Sequence, residues 1–390
     1  MERKIYLDHN ATTPVHPEVL EAMLPFYKGV FGNASSIHSF GRESKVALDE
    51  SREKVAKFLN ADPLEIYFTS GGTESDNLAI KGVAWANRKK GNHIVSSRIE
   101  HHAVLESCKF LEREGFEITY LPVDRYGLVD TDELKKKIRK DTILVSIIHA
   151  NNEVGTIEPI EELSKVAREN GVYFHTDAVQ STGKIKVDVQ KLGVDLLSLS
   201  AHKFYGPKGV GALYIRRGIR LTPLSHGGHH EKARRAGTEN IPGIVGLAKA
   251  LEIAERDMEK EEKRLKNLSE SFFKKITEKI PHVFLNGHPE HRIPNTLNLS
   301  FKGVEGESII LNLDLKGIAV ASGSACTSGS LEPSHVLSAM DVPPDLAQSS
   351  LRFSFGRSNT VDEVSYVAEM LPEIISKLRS MSPIYQKEKA

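Results

Sequence analysis

The chain has 390 residues, 39% of them apolar and 27% charged, and its 52 basic side chains balance 52 acidic ones. A net charge of zero with no like-charge block leaves no electrostatic footprint for nucleic acid or an anionic membrane. No apolar run approaches the roughly 20 residues of a membrane span, the N-terminus lacks the apolar stretch of a signal peptide, and the only cysteines are Cys108 and Cys326, so a cytoplasmic globular protein with free thiols is expected.

At this length two domains are expected. Ile66–Thr69 reads as a strand, followed by a helix over 74–85 with Leu78, Ile80, Val83 and Ala84 inward. A strand at 93–96 precedes a helix over 102–113, on which Cys108 is expected to be buried. Strands follow at 118–123 and 143–148. Pro159 suits the first turn of a helix that Gly171 ends. Further strands are read at 172–176 and 194–199. This alternation predicts βαβ units, a mainly parallel sheet, and ligands at the carboxyl ends of its strands. A long charged helix over 244–279 suggests a domain boundary. Beyond it, strands at 296–300 and 351–355 and helices at 307–315 and 361–379 form an α+β composition.

The chemistry concentrates at strand ends. The 194–199 strand leads into Ser200-Ala201-His202-Lys203 and a Gly206-Pro207 turn. A lysine at the mouth of a buried strand loses its proton more readily than a solvated one, as a Schiff-base lysine must. The hydroxyl and imidazole beside it suit a phosphate, and pyridoxal phosphate (PLP) has both an aldehyde and a phosphate. Taken alone, the preferable reading of such a pair is solvated loop charges, and the other motifs overturn it. Gly71-Gly72-Thr73-Glu74 opens a helix after a strand and offers free N–H groups to an anion, or is an ordinary turn. Asp177 could face a ring nitrogen and Gln180 a ring hydroxyl, although a lone Asp is also a common helix cap. His101 could stack on a planar group and exchange a proton. No third ligand in the sequence matches the His101-His102 pair, so no metal site is expected. Zinc at the 226–230 histidine cluster is retained as a minor alternative.

Cys326 lies in Ser322-Gly323-Ser324-Ala325-Cys326-Thr327-Ser328-Gly329-Ser330. That composition predicts a mobile, exposed loop, where a cysteine serves as nucleophile rather than as packing. Arg352, flanked by apolar strand residues, either grips a carboxylate or closes an internal ion pair.

Assembled in order, these segments resemble the NifS/IscS-type cysteine desulfurases of aminotransferase class V over nearly the whole chain. The match includes 6–14 (Tyr6-Leu7-Asp8-His9-Asn10 onward), Gly32-Asn33-Ala34-Ser35-Ser36, Ala150-Asn151-Asn152-Glu153-Val154-Gly155, 200–209 and 322–328. The resemblance implies a PLP-dependent fold type I enzyme. Its large α/β domain with a mainly parallel seven-stranded sheet would span 15–255, and its small α+β domain 1–14 and 256–390. It implies that Lys203 binds PLP covalently, Asp177 pairs with the pyridine nitrogen, Gln180 with the ring oxygen, and His101 stacks on the ring. Gly72, Thr73, Ser200 and His202 would hold the phosphate, with Asn152 also at the cofactor. Thr238 would reach the phosphate of the neighbouring subunit in a homodimer. Asn152 and Arg352 would bind the carboxylate of L-cysteine, and Cys326 would take its sulfur as a persulfide for an iron–sulfur scaffold or a sulfur carrier for tRNA thiolation. The His226 to Ala233 stretch departs from the family's glycine-rich pattern, and Ala236 stands where the family has serine. Alternatives are a selenocysteine lyase, a class V aminotransferase or a non-catalytic assembly scaffold.

Overall fold

The computed structural model describes residues 4–322 and 333–382, together with Tyr385. Its centre is a seven-stranded sheet in the order Ile66–Thr69, Gly211–Ile215, Leu196–Ser200, Tyr173–Asp177, Thr142–Ser146, His93–Ser97, Glu117–Leu121. Gly211–Ile215 runs antiparallel to both its neighbours, and every other pairing is parallel. The expected mainly parallel sheet is therefore present. Apart from the edge strand Glu117–Leu121, its strands are buried on both faces, which explains the nearly continuous apolar runs of Thr142–Ser146, Leu196–Ser200 and Gly211–Ile215. The polar exceptions are paired with one another. Ser146 Oγ lies 2.8 Å from His175 Nδ1, His175 Nε2 lies 3.0 Å from Ser198 Oγ, and Ser96 Oγ donates to the Ser146 carbonyl at 3.0 Å.

Because Gly211–Ile215 is the one reversed strand, the chain leaves the other six strands at the same edge, five times through 70–72, 98–101, 147–152, 178–180 and 201–203. Each carries a residue singled out above for its chemistry. Topology alone thus gathers residues more than a hundred positions apart.

A second sheet is antiparallel, in the order Ala321–Ser322, Ser350–Ser354, Thr296–Phe301, Val283–Asn286. It packs Leu299, Phe353 and Phe355 against Leu265, Phe272 and Ile276 of the helix Ile241–Lys279. Ile5 and Leu7 join this core, so the first residues of the chain lie beside the last strand. The long helix links the two cores: its Ile244, Leu247 and Leu251 belong to the main one. Cys108 is buried as expected. Burial pushes its thiol far up, which makes it inert at neutral pH.

Several elements have no counterpart in the sequence reading, three of them in or against the main core. Ser39–Leu59 is a 21-residue helix capped by the His38 side chain. Pro17–Met23 is a short helix with proline in its first turn. Gly211–Ile215 is the reversed strand, hidden behind the glycine-rich 206–211 turn. Pro159 sits one residue before its helix rather than inside it.

The segment 226–233 has an unusual backbone. Glu231, Lys232 and Ala233 take left-handed φ values of 45°, 55° and 64° in succession. What holds them there is Glu231, which accepts from Arg52 Nη1 at 2.8 Å, Arg52 Nη2 at 2.7 Å and the Phe68 amide at 2.9 Å. The pair is buried, so removing one partner strands a charge in low dielectric. Glu231→Ala is expected to cost about 3–5 kcal/mol in urea unfolding, and a loss below about 1 kcal/mol would show that the pair does not anchor this segment.

Candidate active site

At the common strand edge lies a cavity of about 290 Å³. Of the expected site residues, Gly72, Thr73, His101, Asn152, Asp177, Gln180, Ser200, His202, Lys203 and Arg352 all line it. Cys326 lies outside the described residues. Thr238 is exposed and does not line the cavity of its own chain.

The 16-residue helix Gly72–Asn87 begins at the cavity with no side-chain cap, so its first amide N–H groups lack intrahelical partners and face an anion site. Glycine is required at its first position. A Cβ at Gly72 would stand 2.7 Å from Val179 Cγ2 and 3.6 Å from Ser200 Cβ. Close packing of this turn against 179 and 200 brings the helix start to the hydroxyl of Ser200. His202 is held by Thr12, whose Oγ1 lies 3.1 Å from Nδ1. Burial, aided by the Lys203 charge, lowers the His202 imidazole to about 4.

Lys203 follows the strand Leu196–Ser200 through one tight turn, Ala201–Lys203. Its Nζ donates to the carbonyls of Asn10 at 2.6 Å and Ala11 at 2.9 Å. Asp76, Asp177 and His101 also line the cavity, and one polar atom from each lies within 4.8 Å of the other two. Burial raises the Asp177 carboxyl, and it raises Asp76 well above the usual range, with the Asp177 charge adding to the effect. Two close carboxyls in low dielectric resist holding two negative charges, so a cationic or N–H-bearing group is favoured beside them. Asp177 Oδ1 also accepts the Val179 amide at 2.9 Å, which closes a turn; no described helix starts there, so the helix-cap alternative weighed in the sequence is not what the structure has. His101 caps the helix His102–Arg113 by accepting the Ala103 amide on Nδ1 at 3.1 Å. Burial, with the Lys203 charge next in weight, lowers it to about 4. It is therefore neutral at pH 7, with its proton on Nε2 facing away from the cap.

Arg352 closes the internal ion pair weighed for it. Its Nη2 pairs with Asp8 at 2.8 Å and its Nη1 donates to the Asn152 carbonyl at 3.0 Å. Among the described residues its Nε has no partner, although it is buried. That leaves one donor for a carboxylate. Asn152 meets Arg352 through its backbone carbonyl, and that carbonyl also accepts Asn10 Nδ2 at 3.3 Å.

Sequence reasoning missed Asp76 and Asn10, both of which line the cavity. Asp76 was within reach of it: four positions after Gly72, it falls on the same helix face one turn on. Asn10 carries no such signal, because the second sheet delivers it. Its Nδ2 donates to Thr296 Oγ1 at 2.8 Å. Among the described residues the 226–230 histidines form no group of three close ligands.

The residues fit PLP. There is an amine, an uncapped helix start with hydroxyl and imidazole for a phosphate, a flat neutral imidazole, and a carboxyl pair that favours a protonated ring nitrogen.

Residues 5–367 match the family described as Aminotransferase class-V. The chain is 60% identical over 389 residues to a protein named Cysteine desulfurase IscS from Dictyoglomus turgidum, covering 100% of this chain and 99% of that one. It is 56% identical over 386 residues to the protein of the same name from Methanosarcina thermophila, covering 99% and 95%. A solved structure titled NIFS-LIKE PROTEIN superposes with a TM-score of 0.91 at 42% identity, covering 96% of this chain and 100% of that one. Another, titled SspA in complex with cysteine, gives 0.81 at 38% identity over 90% and 99%.

Proposed function

This chain belongs to the aminotransferase class-V family, and from that premise we propose that it is a PLP-dependent cysteine desulfurase, which converts L-cysteine to L-alanine and passes the sulfur on as a persulfide. The observation that carries the reading is the convergence of Lys203, Asp177 and His101 on one cavity at an uncapped helix start, in a chain 60% identical along its length to a cysteine desulfurase.

When bound, PLP supplies an electron sink that makes the substrate's Cα proton acidic and its Cβ–S bond cleavable. The chain does the rest. Lys203 would hold the cofactor, then move the Cα proton. The uncapped amides of 72–73, Ser200 and His202 would hold the phosphate, and Asp177, backed by Asp76, the ring nitrogen. Arg352 Nε and Asn152 would orient the substrate carboxylate. His101 would stack on the ring and, being neutral, could pass a proton at Nε2. The Cys326 thiolate attacks the substrate sulfur. An S–S bond forms, the Cβ–S bond breaks, and its electron pair stays with the carbon skeleton, which is protonated and leaves as alanine.

The reading includes a homodimer in which Thr238 serves the partner's phosphate site. The exposure of Thr238 supports it, as does an N-terminal apolar surface with Phe31 72% and Ile37 90% exposed. It also includes a protein acceptor, either an iron–sulfur scaffold or a tRNA-thiolation carrier, and a cytoplasmic location. No described helix is long and apolar enough to cross a membrane.

The test is product analysis with the PLP-loaded enzyme, L-cysteine and a thiol reductant. Alanine and sulfide are expected in equal amounts with no 2-oxo acid added. Turnover that requires a 2-oxo acid acceptor would establish an aminotransferase instead. Turnover of selenocysteine alone would establish a lyase specific for selenium.

A further inference from the structure

We propose that Lys184 is a positioning residue that sets which edge of the Gln180 amide faces the cofactor cavity, acting through a hydrogen-bond hub on Asn10. The inference rests on the PLP reading above.

An amide can present either its oxygen or its nitrogen. A backbone carbonyl only accepts, so the Gln180 atom 2.9 Å from the Asn10 carbonyl is Nε2. Its Oε1 then faces Lys184 Nζ at 2.7 Å. The same amine donates to Asn10 Oδ1 at 3.0 Å. Asn10 is itself fixed by Asn295 Nδ2, which donates to its Oδ1 at 3.1 Å, and by Thr296. Lys203 shares the hub, since it donates to the same Asn10 carbonyl.

The geometry uses each donor once. Gln180 Nε2 spends one N–H on the Asn10 carbonyl and keeps the second for an acceptor in the cavity it lines. A ring oxygen of PLP is such an acceptor, whereas the reversed amide would set Oε1 against it. The stem of Lys184 is partly exposed while its amine is enclosed, and burial, followed by the Lys203 and Arg352 charges, disfavours the ammonium. Two side-chain oxygens stand in place to accept its N–H groups. In sequence Lys184 looks like an ordinary loop charge after Gly183.

The test is PLP titration of apoprotein for the wild type, Lys184→Met, Gln180→Ala and the double variant. Each loaded protein is also followed through a pH titration of the bound cofactor's visible absorbance. Lys184→Met is expected to weaken PLP binding roughly tenfold, the effect of one hydrogen bond, and to shift the absorbance midpoint in the same direction as Gln180→Ala. In the Gln180→Ala background it is expected to add less than twofold, because a residue acting through another is non-additive with it. Fully additive losses, or unchanged affinity with an unchanged midpoint, would overturn the proposal. If Lys184→Met lowers the unfolding midpoint of the apoprotein, Lys184→Gln carries the same comparison with a polar end retained. A wild type that takes up no PLP would overturn the functional reading itself, and this proposal with it.

Discussion

Lys203→Ala lowers alanine release from L-cysteine by about 10⁴-fold, the upper end of what a positioned proton-transfer group contributes. Among the described residues Lys203 is the one lysine lining the cavity, so no neighbouring amine stands in for it. Lys203→Arg is expected to fail equally: it restores the charge, but a guanidinium neither links covalently to an aldehyde nor gives up its proton near neutrality. The fold should survive both changes. The amine donates to the carbonyls of Asn10 and Ala11, both of which line the cavity. Alanine is measured by amino-acid analysis and folding by the unfolding midpoint. Hydride trapping of the wild type followed by peptide mass analysis should place the cofactor's mass on the Lys203 peptide. Lys203→Ala retaining more than about a hundredth of wild-type turnover would remove Lys203 from the proton transfer.

How much of this was legible beforehand depends on where each residue gets its position. Residues set by a strand and the turn after it were readable. Lys203 follows a buried run, Asp177 ends another, and Gly72 opens a helix, so parallel strands with one reversal bring them to one edge. The core of Gly72–Asn87 and the burial of Cys108 follow from apolar periodicity in the same way. Residues placed by long-range partners were not readable. Asn10 reaches the cavity because Thr296 and Asn295, some 285 positions later, hold its side chain. Arg352 shows the limit of reading one residue at a time. Ion pair and pocket donor looked like rivals in sequence, yet one guanidinium has donors enough for Asp8, the Asn152 carbonyl and a ligand together. The left-handed backbone at 231–233 was also invisible, because nothing in Glu-Lys-Ala suggests it. It follows from Glu231 being drawn inward to Arg52.

Cys326→Ala abolishes desulfuration, with alanine release in the presence of reductant falling by on the order of 10³-fold or more, since losing the nucleophile forfeits the covalent route as a whole. The described flanks of the cysteine segment support this. On one side Ala321–Ser322 pairs with Ser350–Ser354, with Ala321 opposite Arg352, so the described strand ends beside that arginine. On the other side Ser334 donates to Glu153 Oε2 at 2.5 Å, one residue from Asn152, and His335 Nε2 lies 2.9 Å from the Glu100 carbonyl, one residue from His101. Both flanks are thus rooted at the cavity rim. Cys326 is four residues from Ser322, and four residues of chain span at most about 14 Å. Since Cys326 neither holds PLP nor binds the carboxylate in this mechanism, the variant should take up PLP normally and still show the absorbance change that L-cysteine produces. That combination separates a missing nucleophile from a damaged site. Alanine at the wild-type rate from Cys326→Ala would show that sulfur leaves without a protein thiol, and the enzyme would be a lyase whose cysteine serves some later step.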